Sequence, residues 1–451
     1  MQKNISVPQP ESPNTYIAPW YGVYSLEQQR EKIMADFDSY LSTLGLQHTF
    51  QKLIHVKPYT AYRNSNKFTF GYTREALDKQ NNDPQLARWA ALGFIAGSYP
   101  TSYILPCGDA ITINDTFKKL CSEIEVITQS SSFKPFMMPP KIKGKRRKAG
   151  LDSSYIPHQG VWRYCKVRYS HKQDQYLVLL VNFLRHLSQS QKSEYEIILQ
   201  QIKNSLLAHE KVAIFAVQEY HRTLEPQPDD PIRILLDRSP DQAGMLSEQI
   251  MGYHLLVSPT SFFQVNTAAA EQLYSQIYRL LQKKIATHQN GKKNVLLDMY
   301  CGTGSIGITL SSLFDQIIGV DEVNAAIQNA EKNKVINKIS NARYVVGRCE
   351  DSIPILEKLL GESNYNLYIV VNPSREGLHR KVRRFIKNTS HVSLIYSACN
   401  VQTWARDVAD LCEAAEKQRS HMALNVEESY IVDLFPHTKH YEVLSSLSKD
   451  C

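Results

Sequence analysis

Three short stretches carry the residue types that chemistry needs. In YSACNVQTWARD (396–407), Cys399 stands where a strand-like run, VSLIY, gives way to a helix-like one. In FPHTKHYEV (435–443), His440 and Glu442 open another strand-like run. In DMYCGTGSIG (298–307), Asp298 sits on a strand-like run, glycines follow at 302, 304 and 307, and Asp321 ends the next strand-like run. Glycines in such a turn let the backbone approach a ligand, which in open α/β sheets lies outside the carboxyl ends of the strands. Asp321 can accept hydrogen bonds from both hydroxyls of a ribose. Taken alone the turn has three readings. GxGxxG with an acid about 20 residues later suits a dinucleotide. An acid four residues before the first glycine suits S-adenosylmethionine, and a glycine turn can also be purely structural.

Cys399 and Glu442 together favour the methyl donor. A thiol and a carboxylate beside such a donor point to alkylation of a poorly nucleophilic pyrimidine carbon. Uracil C5 is too weak to attack a sulfonium methyl unaided, but thiolate addition at C6 generates an enolate whose C5 can attack in line. A base must then take the C5 proton so that the thiolate can leave. Glu442 is the candidate base, since a partly desolvated carboxylate has its pKa raised toward that task. Cys399 needs its pKa lowered, or its proton removed on substrate binding; Arg375 and the N-terminus of the following helix are placed to help. Singly, each residue has a plainer reading. One cysteine among eight is more often a small buried hydrophobe, and Glu442 could be a solvated strand residue. Their joint occurrence carries the argument.

These residues need a frame that brings them to one edge. From about residue 291 strand-like and helix-like runs alternate: VLLDMY then a helix from Ser305, QIIGVD then AAIQNAEKN, ARYVVG then PILEKLL, LYIVVNP then HRKVRRFIK, VSLIYSAC then VQTWARDVADLCEAA. Parallel neighbours need crossovers, which are usually helices, so the alternation predicts a doubly wound parallel sheet. SYIVDLF and HYEVLSSL have no helix between them and are expected to close it as an antiparallel hairpin. Upstream, SLEQQREKIMADFDSYLSTLG places Ile33, Phe37, Tyr40, Leu41 and Leu44 at helical spacing behind a candidate N-cap, Ser25. Between 52 and 240 the texture is β-rich, with FTFGYT, QYLVLLVNF, VAIFAVQEY and IRILLD as strands. The expected organisation is a helical segment over 1–50, an α+β middle domain over 51–245 with a looped, basic insertion at 128–156, and an α/β domain over 246–451.

Composition narrows the classes further. A chain of 451 residues with 43% hydrophobic and 21% charged residues can bury a sizeable core. No stretch approaches the roughly 20 apolar residues of a membrane span, so no membrane partner is expected. The eight cysteines form no CxxC pair and no metal-like spacing, so no metal is expected. The net charge of +8 is mild, but KIKGKRRK (141–148) holds six basic residues out of eight. That cluster suits polyanion binding, a nuclear address or a solvated loop. The N-terminal residues read neither as a signal peptide nor as an Arg-rich transit peptide. Cytosol or nucleus is the default compartment, with mitochondria also open.

The C-terminal half resembles the tRNA (uracil-5)-methyltransferase family, nearest in character to its animal tRNA members. SPTSFFQVNTAAAEQLY (258–274), LLDMYCGTGSIG (296–307), GVDEVNAAIQNAEKN (319–333), VVNPSREGLHRKV (370–382), YSACN (396–400) and FPHTKHYEV (435–443) follow the family's order. YRNSNKFTFG (62–71) resembles its middle-domain motif. The resemblance implies a class I (Rossmann-like) S-adenosylmethionine-dependent methyltransferase domain behind an RNA-binding middle domain. It implies Cys399 as nucleophile and Glu442 as base. It assigns cofactor contacts to Gln264, Tyr300, Ser305, Asp321 and Asn372, with Gly302 in the glycine turn, while SFFQVN by itself reads equally well as a strand entering a helix. Arg375 and Phe262, or its neighbour Phe263, are candidates for holding the flipped uracil. The implied partner is tRNA, gripped by aromatic and basic segments of the middle domain, and a monomer is the default. The absence of an iron–sulfur cysteine cluster, present in some rRNA-directed relatives, favours tRNA.

Three departures accompany the resemblance. Most members have Asp-Pro-Pro-Arg where this chain has Asn372-Pro373-Ser374-Arg375, so a neutral amide replaces a carboxylate. Ala398 and Val401 flank the Cys399-Asn400 pair where Ser and Pro are usual. Asn372 motivates a different class, a tRNA-binding protein that keeps the fold without the activity. An amino-group methyltransferase, suggested by Asn-Pro, lacks its aromatic fourth residue and leaves Cys399 and Glu442 without roles.

Overall fold

The structure is a computed structural model that describes residues 12–79, 90–96, 102–136, 160–220, 226–227, 230–238, 244–288, 290–360, 365–389, 392–413 and 423–449. The basic cluster at 141–148 lies outside the described residues. The strands are β1 (Phe50–Ile54), β2 (Ser65–Tyr72), β3 (Ala90–Ala96), β4 (Tyr103–Pro106), β5 (Trp162–Ser170), β6 (Gln175–Phe183), β7 (Val212–Tyr220) and β8 (Ile232–Asp237). They continue with β9 (Leu246–Ile250), β10 (Tyr253–Val257), β11 (Lys293–Met299), β12 (Gln316–Asp321), β13 (Ala342–Val346), β14 (Tyr365–Val371), β15 (Val392–Ala398), β16 (Asn425–Val432) and β17 (Glu442–Ser448).

The chain divides into two compact units. The first comprises Met1–Tyr21, Thr60–Tyr169 and Asp174–Gly244, and the second Gly22–Tyr59, Ser170–Gln173 and Met245–Cys451. Residues 22–59, expected in a separate helical segment and at the start of the middle domain, group with the C-terminal sheet. The first unit holds a seven-stranded sheet, β4-β3-β2-β5-β6-β7-β8. Phe68, Phe70, Cys165 and Val178 from its strands share a core with Phe117, Leu120 and Ile124 of helix Asp115–Gln129 and with Tyr195, Ile198 and Ile202 of helix Gln189–Leu207.

The second unit is a Rossmann-like α/β fold. Its eight-stranded sheet has the order β1-β16-β17-β15-β14-β11-β12-β13. Strands β15, β14, β11, β12 and β13 are parallel, and each crossover passes through a helix. The parallel strands are continuous apolar runs because both faces are covered: Leu296, Leu297, Ile317, Ile318, Ile369 and Val370 are fully buried. Strand β17 runs antiparallel to both β15 and β16, as the missing helix between the last two runs predicts.

The eighth strand, β1, pairs in parallel with β16 and is not expected from sequence. FQKLI is short, Gln51 and Lys52 are exposed, and the register shifts between Phe50 and Lys52, so local pattern announces no strand there. The helix before it, Leu26–Leu44, starts at a capping box in which Ser25 and Gln28 satisfy each other's backbone N–H groups, and it stops at Gly45 with φ 69°. Its buried face, Gln29, Ile33, Phe37 and Leu41, packs inside the second unit. The Phe37 ring lies 5.2 Å from Trp404 and 5.9 Å from Phe50. Among the described residues no helix is long and apolar enough to cross a membrane.

Phe37→Ala removes a fully buried ring that joins this helix to Trp404, on the helix after Cys399. Urea denaturation is expected to show a loss of about 3–5 kcal/mol in the unfolding of the second unit.

Candidate functional site

Strand β11 ends in a turn whose backbone requires glycine for two different reasons. Gly304 has φ 74°, and a Cβ there would lie 2.6 Å from the Tyr344 hydroxyl oxygen and 3.0 Å from Ala330. That glycine is fixed by packing. Gly302 has φ 54°, but a Cβ there would meet nothing within 4 Å. Its side of the turn is open. Tyr300 is also left-handed, at φ 64°.

Asp321, at the end of β12, braces the same turn. Its Oδ2 accepts from the Gly302 N–H and its Oδ1 from the Val323 N–H, each at 2.9 Å. A carboxylate oxygen has two acceptor sites, so both oxygens keep capacity for a diol. Burial raises the Asp321 pKa despite these bonds. Asp298 is fully buried; Oδ2 accepts from the Gly307 N–H at 2.9 Å, and Oδ1 has no hydrogen-bond partner among the described residues. Burial pushes its carboxyl up to about 7.

The next neighbours along the carboxyl edge carry the remaining candidates. Met299 of β11 pairs with Val371 of β14, and Val371 with Tyr396 of β15. Tyr300, Asn372 and Ser397 therefore follow in step on three adjacent strands. Cys399 comes just beyond β15. Ser397 pairs with Leu444 and Ala398 with Val443, and one further step in the same register sets Cys399 across from Glu442. Directly opposed residues share a face, with Cβ atoms about 4.5–5.5 Å apart.

Glu442 is buried, with 2% exposure, and its Oε1 accepts from the Ser397 hydroxyl at 2.8 Å. Burial pushes its carboxyl up to about 7, against the downward pull of that bond. The Cys399 thiol is half-buried; burial and the Glu442 charge raise its pKa, while Arg375 lowers it. Ser397 is an addition to the sequence-derived candidates. Its position two residues before Cys399 on a strand is the signal, because alternate residues share a face.

Tyr274 is a second addition. It lies on helix Thr267–Thr287, buried, with its hydroxyl 3.0 Å from Ser305 Oγ. Burial pushes it up to about 12, and the charges of Asp298 and Glu442 act in the same direction. Tyr274 thus contacts the glycine turn through Ser305. Nothing in its local sequence separates it from an ordinary core residue of an amphipathic helix.

The segment leading to Glu442 is held by the N-terminal helix. Gln29 Oε1 accepts from the His437 N–H at 3.0 Å, at a residue with φ 68°. The Tyr441 hydroxyl donates to Asp36 Oδ2 at 2.7 Å. His440 is half-buried and its pKa is lowered by burial and by Arg375 and Lys439.

The other candidates separate. Gln264 is buried in the irregular segment between β10 and helix Thr267–Thr287, so SFFQVN forms no strand. Phe262 is 70% exposed, whereas Phe263 is a core residue at 5%. Arg375 is exposed on the loop after β14. Among the described residues no group of three or more His, Cys, Asp or Glu could hold a metal ion.

A glycine turn, a ribose-competent acid on the second strand and an antiparallel last strand inserted beside β15 define a Rossmann-like methyltransferase fold. Residues 233–450 match the tRNA (Uracil-5-)-methyltransferase family model, so this region of the chain is similar to that family. It is 37% identical over 201 residues to the tRNA (uracil-5-)-methyltransferase homolog B of Danio rerio, a match covering 44% of this chain and 40% of that protein. It is 30% identical over 305 residues to the homolog A of Homo sapiens, covering 65% of this chain and 45% of that one. The matches thus span less than half the length of these two relatives. In fold it is similar to the Pyrococcus abyssi tRNA (uracil-54, C5)-methyltransferase in complex with S-adenosyl-L-homocysteine, with a TM-score of 0.64, 18% identity, and coverage of 97% of this chain and 86% of that one.

The raised Glu442 pKa sets a sign for stability against pH. Its carboxyl holds a proton more tightly folded than unfolded, so the contribution is fully present below 4.5 and is lost as pH rises through about 7. The loss is on the order of 3 kcal/mol. Thermal melts should therefore find Glu442→Gln more stable than the parent at about pH 8, with the gap closing toward about pH 5.

Proposed function

We propose that this protein is an S-adenosylmethionine-dependent enzyme that methylates C5 of a uridine in tRNA, with the T-loop uridine as its target. The observation that carries the reading is the placement of Cys399, one residue past β15, near a buried Glu442 that opens the neighbouring β17. The names of the relatives, together with the uracil-54 specificity and bound S-adenosyl-L-homocysteine of the P. abyssi enzyme, support the substrate and cofactor.

The residues present fit the cofactor. Asp321 has acceptor capacity for the ribose hydroxyls, Gly302 leaves the turn open, and Asp298 keeps an unpaired buried oxygen beside it. Gln264, Tyr300, Gly302, Ser305, Asp321 and Asn372 would hold it. When bound, S-adenosylmethionine supplies an electrophilic methyl group at C5.

The chain's own residues do the rest. Cys399 gives up its thiol proton to solvent as the substrate binds, its Sγ bonds to C6, and the electrons of the C5=C6 bond move toward the O4 carbonyl, making C5 nucleophilic. After methylation C5 carries both the new methyl and its original hydrogen. Glu442 takes that proton, C5=C6 re-forms, and the Cys399 thiolate leaves. A carboxyl poised near 7 exists substantially as its base form at neutral pH yet can hold the proton it receives. Ser397, donating to Glu442 Oε1, leaves Oε2 as the oxygen for this transfer. Arg375 offsets the charge that burial and Glu442 oppose on the Cys399 sulfur. Asn372 holds its ligand through neutral amide hydrogen bonds. Exposed Arg375, Arg380 and Arg384 supply cations for phosphates on the RNA backbone.

Purified protein, unmodified tRNA transcript and labelled S-adenosylmethionine should yield 5-methyluridine on nucleoside analysis. Cys399→Ala should abolish it. Glu442→Gln should accumulate a covalent RNA–protein adduct, because the C5 proton stays in place and the thiolate cannot leave. Tight tRNA binding without methyl transfer would favour the non-catalytic reading that Asn372 motivates. An adduct persisting in Cys399→Ala would sink the mechanism.

A further inference from the structure

Asp407 lies on helix Val401–Cys412, directly after Cys399, and is fully buried. Its two oxygens are shared among four residues. Oδ2 accepts from the Leu378 N–H at 2.7 Å and the Tyr396 hydroxyl at 2.8 Å. Oδ1 accepts from Arg383 Nη1 at 2.9 Å and from Arg406 Nε and Nη2 at 2.9 and 2.8 Å. Two guanidinium groups compensate one buried carboxylate, the condition under which such a charge is tolerated.

The same arginines also bind the loop that carries Arg375. Arg383 Nη1 donates to the Leu378 carbonyl at 2.6 Å, and Arg406 Nη2 to the Glu376 carbonyl at 2.8 Å. Asn400 Nδ2 and Thr403 Oγ1 donate to the Arg375 carbonyl at 3.1 and 3.3 Å. Gly377 has φ 75°, and a Cβ there would fall 2.5 Å from Asp407 Oδ2 and 2.8 Å from Arg406 Nη2. The loop is therefore drawn onto the carboxylate too closely for any side chain. Through Tyr396 the same oxygen is tied to β15, three residues before Cys399.

One atom thus references both the strand that delivers the thiol and the loop that delivers the arginine. We propose that Asp407 is a positioning residue, fixing residues 375–378 so that the Arg375 guanidinium stands beside the Cys399 thiol. The inference rests on the reading of Cys399 as the nucleophile. A purely structural Asp407 would pack two helices and nothing more. That packing has an independent tie: Arg383 also pairs with Asp410, and Lys387 Nζ donates to the Asp410 carbonyl at 2.7 Å. Helix Arg380–Asn388 should therefore stay docked when Asp407 is changed.

The test reads Cys399 itself, in protein without RNA or cofactor. Its alkylation by iodoacetamide is followed by mass spectrometry across a pH series. The charged groups acting on the thiol are Glu442 from β17 and Arg375 from the loop, with His440 beside Arg375. Asp407→Asn places an amide among donors, frees the loop, and should raise the titration midpoint of Cys399. A shift of about one unit lowers its reactivity at neutral pH about tenfold. Arg375→Gln should produce the same shift, and the double variant no further one, since both act through one interaction. Asp407→Asn that lowers thermal stability but leaves the midpoint in place would overturn the proposal.

If Asp407→Asn does not fold, Gly377→Ala keeps the carboxylate but drives a Cβ against Asp407 Oδ2 and so displaces the same loop. It should raise the midpoint too, and an unmoved midpoint there would likewise overturn the proposal. The outcome separates from the fate of the proposed function. A midpoint shift in a protein whose parent transfers no methyl supports the positioning role and sinks the function. Methyl transfer by the parent with no shift in either variant does the reverse.

Discussion

Strand β17 enters the sheet antiparallel between β15 and β16, and its register is the constraint on which the candidate site depends. Cys399 lies past the end of a parallel strand, where the chain is about to turn into a helix. Glu442 lies at the beginning of a strand running the other way. They meet only because the reversal brings one strand's start to another's end. A slip of one residue would turn Glu442 to the opposite face of the sheet and bring Tyr441 or Val443 across from the thiol. The register is secured at both ends. Leu444 and Leu447 are fully buried along β17, while Gln29 and Asp36 of the N-terminal helix hold His437 and Tyr441 just before it.

This dependence gives the N-terminal helix a role that its sequence position conceals. Local pattern marks its start at Ser25 and its buried stripe of Ile33, Phe37 and Leu41. No local pattern marks what it packs against. Its partners, Trp404, His437 and Tyr441, are more than 360 residues further along the chain. Grouping residues 22–59 with the C-terminal sheet is a tertiary fact, and so is the addition of β1 at its edge.

The alternation of strands and helices after residue 291 was legible because each parallel strand is buried on both faces and each crossover is amphipathic. Asp321 and the glycine turn were legible because their chemistry is local: a left-handed backbone and an acid at a strand end. Tyr274 and Asp407 were not, and Ser397 only through its spacing from Cys399. Each matters through what it touches, and a serine in a strand, a tyrosine in a helix and an aspartate in a helix are ordinary residues until their partners are known. Phe262 and Phe263 illustrate the same limit. Adjacent and chemically identical, they differ only in direction, one exposed and the other in the core.

Asp407, Glu442 and Asp298, three of the buried carboxylates, then divide by compensation rather than by burial. Asp407 faces two guanidinium groups and two neutral donors. Glu442 has one hydroxyl, from Ser397, and Asp298 one backbone N–H. With so few donors and no cation paired to either among the described residues, desolvation raises both carboxyls to about 7. A well-compensated carboxylate suits anchoring, because it keeps its charge and its geometry. A poorly compensated one suits proton exchange, because its two protonation states lie close in energy at neutral pH. The cost is a stability that falls as the medium becomes more alkaline. Supplying Glu442 with the two arginines of Asp407 would remove that cost and would also lower its affinity for the proton it is proposed to receive.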